Sequence, residues 1–189
     1  DGNKVIPFVT RMFPTRSQHK ISVMLNEMNQ QVSSYIRGQI TVAICVGFTY
    51  IIGYTLIGLP YGVTIGMIAG LLTIIPYIGS IIGLTPALII GFVTNPTLAL
   101  HVLLVFVIEQ LIESRVLQPL ILGSSLKMHP VTILIILLAA GKMFGLVGLL
   151  IAVPVYAVVK VFITHFFAWY KEYSGLYYND KVEEVQIEE

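Results

Sequence analysis

Charged residues are scarce in this sequence, and one long stretch has none. Lys, Arg, Asp and Glu make up 11% of the 189 residues, whereas hydrophobic residues make up 56%. No Lys, Arg, Asp or Glu occurs from Gly38 to Ile108. Soluble domains carry about 25% charged residues, and one membrane crossing needs roughly 20 apolar residues. The composition therefore excludes a soluble domain of ordinary composition and predicts several membrane crossings.

Cysteine and catalytic motifs are also nearly absent. Cys45 is the only cysteine, so the chain cannot form an internal disulfide. His101, His129 and His165 are far apart and lack the spacing of metal ligands. The sequence contains no G-x-S-x-G, H-E-x-x-H, Walker A or G-x-G-x-x-G element. We therefore expect neither an enzyme nor a cofactor or metal site, and transport driven by ATP on this chain alone is excluded.

The few charges are nearly balanced. Basic residues number 11 and acidic residues 10, for a net charge of +1, so nothing indicates a nucleic-acid partner. Residues 1–38 combine basic side chains with a helical pattern of apolar residues that leaves one polar face. We interpret 1–38 as a basic juxtamembrane segment and an amphipathic interfacial helix, and 171–189 as a polar acidic tail.

Between these ends, residues 39–170 are predicted to form a transmembrane helical domain. The predicted spans are two full-length helices and two broken pairs of shorter pieces. They cover about residues 39–58, 63–75 with 80–93, 97–117, and 131–140 with 146–170. The predicted fold is an all-α, polytopic integral membrane protein with interrupted or re-entrant helices.

Basic residues predict the orientation of these spans, because cytoplasmic flanks collect Lys and Arg. Arg37 precedes the first span, and Arg115 and Lys127 accompany the end of the span at 97–117. The predicted external loops, LPYG and TNP, carry no charge. We therefore expect residues 1–38, the connection 118–130 and the C-terminal tail to be cytoplasmic, in a chain embedded in the lipid bilayer of the cell membrane.

Proline and glycine interrupt the apolar segments at two places. The residues of the two breaks are Pro76, Tyr77, Gly79, Gly83 and Pro86, and then Gly141, Gly145, Gly148 and Pro154. Backbone groups freed by a break are tolerated in a bilayer only where protein or a wet cavity covers them. Short, interrupted segments are also the best sequence pointer to a transporter's binding site. A packing kink is the alternative interpretation of each break.

Two carboxylates stand out within the predicted span 97–117. Glu109 lies somewhat past its middle, where a charge costs about 2.5 to 3.5 kcal/mol on insertion scales and so needs a cavity, a partner or a proton. Glu113 follows one helical turn later. We predict that both couple transport to an ion or a proton, with Gln110 and Gln118 as neutral hydrogen-bond donors. The alternatives are a structural role for Glu109, and pairing of Glu113 with a nearby arginine or a lipid headgroup.

Lys142 is the basic residue of the second break. One hypothesis makes it the countercharge of Glu109 across a cavity. The alternative is that its side chain reaches water from a short re-entrant piece.

Several motifs occur in a fixed order between about residues 20 and 165. They are YIRGQ at 35–39, IGLPYG at 57–62, IPYIGSIIG at 75–83, VLQPLILG at 116–123, HP at 129–130 and FGLVGLLIAVP at 144–154. With these motifs the sequence resembles the autoinducer-2 exporter family of bacterial membrane proteins. The similarity is to the C-terminal part of that family, whose members have about twice this length. Ala140 and Lys142 depart from the family pattern, in which a Gly-Gly pair and a small or polar residue are common.

The resemblance implies export of small molecules, and the family is named for the signalling compound autoinducer-2. Some relatives resemble sodium/proton antiporters, and homo-oligomers are also implied. We therefore predict a secondary transporter that exports a small solute by alternating access. A sodium/proton antiporter, a passive channel and a structural membrane oligomer are the alternatives.

Overall fold

A computed structural model of the chain describes residues 2–11, 14–122 and 129–174, and all regular elements in these ranges are helices. In chain order they are α1 (Gly2–Thr10), α2 (Thr15–Leu56), α3 (Gly62–Leu72), α4 (Ile78–Thr94), α5 (Pro96–Ile112), a π-helical segment (Glu113–Leu122) and α6 (Pro130–Ser174).

Three helical stretches among the described residues are long and apolar enough to cross a membrane. They are Gln18–Leu56, Pro96–Leu122 and Val131–Lys171, while α3 and α4 are shorter apolar helices. The prediction of an all-α membrane protein is thereby confirmed. Residues 175–189 of the predicted acidic tail lie outside the described residues. Residues 123–128 of the predicted cytoplasmic connection also lie outside them.

The predicted amphipathic helix and the predicted first span form one continuous helix. α2 runs through Gly38 without interruption. A glycine within a helix costs only about 1 kcal/mol relative to alanine, which packing of the flanking turns can outweigh. Gly38 lies against Leu122, since a Cβ at this position would approach the leucine side chain to 2.7 Å. The glycine therefore allows close packing rather than ending the helix.

Local sequence sets the start of α5. Asn95 Oδ1 accepts a hydrogen bond from the Thr97 amide at 3.0 Å, and Pro96 is the first residue of the helix. Asparagine is favoured as an N-cap, and proline is favoured at the first helical position because its missing N–H would have no partner there. The TNP sequence therefore ends one helix and begins the next.

The chain divides into two compact units. The first unit comprises residues 1–32 and 155–189, and the second comprises residues 33–154. In the first unit, His165 Nε2 lies 2.7 Å from Glu27 Oε2, which joins α6 to α2. In the second unit, α3 packs against α4, and α4 packs against α5.

The core of the second unit depends on one face of α2. Four side chains on this face, each one helical turn after the last, are fully buried: Val42, Val46, Tyr50 and Tyr54. On another part of the helix, Gly47 meets Gly70 of α3, and a Cβ at Gly70 would overlap the Gly47 backbone. Small residues at such crossings let membrane helices approach closely.

Candidate functional site

The first predicted break coincides with the connection between α3 and α4. α3 ends at Leu72 and α4 begins at Ile78. Two of the predicted residues lie in the connection and three within α4: Pro76 and Tyr77, then Gly79, Gly83 and Pro86. Tyr77 has φ 61° and ψ −52°. A non-glycine residue in such a conformation costs about 1–3 kcal/mol and persists only where the surrounding structure holds it.

Side-chain and backbone groups of the protein cover this break. Gln39 Nε2 of α2 donates a 2.7 Å hydrogen bond to the Thr73 carbonyl oxygen, and both residues are buried. A carbonyl freed at the end of α3 is thus satisfied without water, as a membrane interior requires. At Gly79, a Cβ would overlap the Leu72 carbonyl, so only glycine allows the two helix ends to come this close. Sequence reasoning missed Gln39, whose signal is an amide in an otherwise apolar span.

The second predicted break lies within α6, which bends at Gly145. This residue has φ 60° and ψ −139°, a non-helical conformation that only glycine adopts readily. Gly141, Gly148 and Pro154 lie in the helical parts on either side. Lys142 is exposed, and no ion pair joins it to Glu109 within the described ranges. Its role as a countercharge stays a prediction.

Both predicted carboxylates are buried. Glu109 is 0% exposed and Glu113 is 4% exposed. The side chain of Gln110 lies between them, with Nε2 3.5 Å from Glu109 Oε2 and 3.4 Å from Glu113 Oε2. These are long, weak hydrogen bonds. In the part of the chain that the structure describes, no lysine or arginine forms an ion pair with either carboxylate.

The π-helical segment brings Gln118, the fourth predicted transport residue, to Glu113. Gln118 Nε2 donates a 3.1 Å hydrogen bond to Glu113 Oε1. Five residues of α-helix would turn the chain about 140° past one full turn, and the side chains would diverge. The wider π-helical turn keeps both side chains on the same side. Pro119 lies within the segment and lacks the N–H that an α-helical hydrogen bond would use.

Two tyrosines of α2 complete the arrangement, and sequence reasoning missed them. Tyr50 and Tyr54 stack with ring centroids 5.2 Å apart and planes 24° apart. Tyr50 lies near both carboxylates and within hydrogen-bonding reach of Glu109, and Tyr54 also lies near Glu109. The two hydroxyl oxygens and Glu109 Oε1 are buried. The available signal was the spacing of four between two tyrosines in an apolar span.

The structure therefore brings α2, α5, the π-helical segment and the first break together. We call the resulting set the carboxylate cluster: Tyr50, Tyr54, Glu109, Gln110, Glu113 and Gln118. Tyr77 of the break lies near Glu113, so the break adjoins the cluster. Because the cluster holds two acidic and no basic side chains, it can take up a proton or a cation.

A separate groove belongs to the first unit. It is open, has a volume of about 550 Å³ and is lined mainly by apolar side chains, including Met24, Phe162 and Trp169. None of the predicted transport residues lines it.

The matching family and the relatives given below are all described as transporters or transport proteins. A family model described as AI-2E family transporter matches residues 1–168. The chain is 36% identical over 162 residues to YueF of Bacillus subtilis, a match that covers 86% of this chain and 44% of YueF. It is 41% identical over 145 residues to YrrI of the same organism, which covers 77% of this chain and 41% of YrrI. Both relatives are named as transport proteins, and the chain spans less than half the length of each.

Proposed function

Because the chain belongs to the AI-2E transporter family, we propose that it acts as a secondary transporter that exports a small solute by alternating access. The transport family and the apolar helices indicate a membrane location, and a family of transport proteins favours transport over catalysis. The family resemblance makes autoinducer-2 the first candidate solute. Sodium/proton exchange is the second candidate, because the carboxylate cluster is acidic and has no basic partner among the described residues.

The observation that carries the proposal is the burial of Glu109 and Glu113 beside an interrupted helix. A buried carboxylate is costly in a membrane, so a proton or a cation has to neutralise the cluster in at least one state. A ligand shifts a conformational equilibrium when it binds one state better than the other. Since Tyr77 of the break lies near Glu113, we expect a change of charge in the cluster to influence the break.

The first experiment reconstitutes the complete protein in liposomes with internal pH and sodium reporters. We expect an imposed gradient to drive transport in the wild type and to drive little or none in Glu109→Gln, which keeps the shape of the side chain and removes its charge. Glu27→Gln is the matched control, because Glu27 is 46% exposed and lies in the first unit. Wild-type transport by Glu109→Gln at every pH tested would eliminate its coupling role.

A second experiment separates a transporter from a structural oligomer and from a passive channel. Pro76→Ala and Gly79→Leu alter the first break, and we expect both variants to insert and assemble but to lose transport. Normal transport in both would favour a purely structural role for the break. Solute flux through the wild-type protein that does not depend on the proton gradient would instead indicate a channel.

The proposed topology places residues 1–38 and the connection 118–130 in the cytoplasm. It is tested with single cysteines at exposed positions in a Cys45→Ser background. We expect a membrane-impermeant reagent to label Thr97→Cys in intact cells, and to label Thr15→Cys and His129→Cys only after the membrane is opened. The opposite pattern would reverse the topology.

We also propose that several copies associate in the bilayer, as the family resemblance implies. Large apolar side chains on α4 and α5 are exposed, among them Phe92, Val93 and Leu100, and lipid or another copy can cover them. Native mass spectrometry of the complete protein in lipid nanodiscs tests this proposal, and a monomer would contradict it.

A further inference from the structure

We infer that Gln39 is a positioning residue for transport, because its side-chain amide takes the place of a backbone N–H that Pro76 lacks. The amide thereby holds the end of α3 and the first break in one conformation. The inference rests on the proposed function, since it assigns a residue that sets the geometry of the break on which transport is proposed to depend.

The backbone winds more tightly just before the first break. The N–H groups of Ile74 and Ile75 donate to the carbonyl groups three residues earlier, at 3.3 and 3.0 Å. This spacing is that of a 3₁₀-helix. If the pattern continued by one residue, the N–H of the next residue would donate to the Thr73 carbonyl. That next residue is Pro76, which has no N–H, so the Thr73 carbonyl needs a donor from elsewhere.

Gln39 of α2 supplies this donor from 34 positions earlier in the chain. Its Nε2 donates to the Thr73 carbonyl oxygen at 2.7 Å, and both residues are buried. A carbonyl oxygen can only accept, so the amide has to present its Nε2 there. A backbone carbonyl without a partner is costly in a membrane interior. An apolar side chain in place of Gln39 would leave the carbonyl in that condition.

The hydrogen bond from Gln39 acts on a well-anchored residue. Thr73 Oγ1 donates to the Gly70 carbonyl at 2.6 Å, and its N–H donates to the Ala69 carbonyl at 3.2 Å. The bond therefore ties α2 to the end of α3. Four residues later, Tyr77 has φ 61°, a conformation that persists only where the surrounding structure holds it. We expect the bond from Gln39 to be part of what holds it.

The residue next to Gln39 contacts the other irregular segment. A Cβ at Gly38 would lie 2.7 Å from the side chain of Leu122, the last residue of the π-helical segment. One turn of α2 thus touches both the first break and the segment that carries Gln118. Without the hydrogen bond from Gln39, the break would no longer be fixed to this turn, and its position relative to the carboxylate cluster would change.

The test compares transport by the complete protein in liposomes, expressed per amount of folded and inserted protein. Gln39→Leu removes the donor and keeps most of the side-chain volume. Gln39→Glu keeps the shape, and its side chain can donate a hydrogen bond only while it is protonated. We expect Gln39→Leu to lower transport about tenfold or more. We expect Gln39→Glu to approach wild-type transport at acid pH and to lose it as the pH rises.

Gln30→Glu is the matched control, because Gln30 is an exposed glutamine of the same helix. Its transport relative to the wild type should not change with pH. Wild-type transport by Gln39→Leu would overturn the inference. A constant ratio of Gln39→Glu transport to wild-type transport across the pH range would also overturn it, because a residue that only fills space does not depend on a proton.

A second measurement uses stability and does not depend on transport. Pro76→Ala restores an N–H that can pair with the Thr73 carbonyl, so Gln39 becomes less important in that background. We expect Gln39→Leu to lower the unfolding temperature of the complete protein less in Pro76→Ala than in the wild type. If Gln39→Leu does not fold, Gln39→Glu at alkaline pH takes its place. Equal losses in the two backgrounds would contradict the replacement of the missing N–H by Gln39.

These outcomes separate the role of Gln39 from the proposed function. Wild-type transport by Gln39→Leu, together with lost transport in Glu109→Gln, would remove the positioning role and leave the proposed function intact. Wild-type transport by Glu109→Gln would instead remove the coupling role of Glu109, while pH-dependent transport by Gln39→Glu would still support the positioning role.

Discussion

Gln118 shows how one amide keeps a buried carboxyl group in place. Its Nε2 lies 3.1 Å from Glu113 Oε1, and Glu113 is nearly inaccessible to solvent. Removing one partner of a buried polar group leaves the other partner unsatisfied, which costs more than breaking a hydrogen bond at a surface. The stability of this region therefore depends on a few side-chain hydrogen bonds as well as on apolar packing.

We predict that Gln118→Leu lowers the free energy of unfolding by about 1–3 kcal/mol, because Glu113 loses its shortest hydrogen bond. The measurement is equilibrium unfolding of the protein in detergent. Ser114→Ala is the control, since this exposed hydroxyl bonds to the Gln110 carbonyl four residues earlier in the chain. A loss no larger than that of the control would contradict the prediction.

The acidic residues of the cluster were predictable from the sequence, and the tyrosines were not. Glu109 and Glu113 stand out because charge is rare in an apolar span. Tyrosine carries an apolar ring and a polar tip, so Tyr50 and Tyr54 do not break the pattern of α2. Only tertiary packing brings these two tyrosines near Glu109.

The irregular parts of the helices determine which side chains meet at the carboxylate cluster. The π-helical segment changes which residues share a side, and the connection between α3 and α4 brings Tyr77 to the cluster. The sequence located the interruptions because Pro and Gly mark them. It did not predict the π-helical winding, since apolar periodicity over one or two turns does not distinguish it from an α-helix.

Pro119 tests the importance of the π-helical winding. We predict that Pro119→Ala allows an ordinary α-helical turn, because alanine restores the missing N–H and favours an α-helix. Gln118 then moves away from Glu113, and transport falls. The measurement is the liposome assay together with the unfolding temperature. Unchanged transport would contradict the prediction that transport depends on this proline.

Gly79 tests the close approach at the first break. We predict that Gly79→Ala destabilises the protein by about 1–3 kcal/mol or more, because its Cβ overlaps a backbone carbonyl that cannot move aside cheaply. Gly47→Ala is the matched control, since its Cβ would lie 3.5 Å from the Gly70 Cα, an ordinary contact. The measurement is thermal unfolding of both variants. Equal losses of stability would contradict the predicted overlap.

The family was identified correctly from its ordered motifs, and the matching family model confirms it over residues 1–168. The predicted boundary at residue 38 stays a prediction, and α2 continues through it. The amphipathic pattern and the apolar pattern are both helical, so their junction leaves no signal unless a breaker residue stands there.

The pairing of the two ends of the first unit can be tested by cross-linking. His165 and Glu27 are 138 positions apart in sequence and 2.7 Å apart in space. We predict that Glu27→Cys with His165→Cys, in a Cys45→Ser background, is joined rapidly by a short bifunctional thiol reagent. Each single-cysteine variant serves as the control. Failure to cross-link would contradict this contact.

The bond between Gln118 and Glu113 makes the cluster sensitive to residue number as well as to residue type. These two side chains meet because five positions separate them on a widened helix. Exchanging an exposed residue between them leaves that count intact, whereas inserting or deleting one residue rotates every later side chain to another side. We therefore expect the exposed residues 114–116 to tolerate many substitutions, and the segment 113–122 to tolerate hardly any change of length.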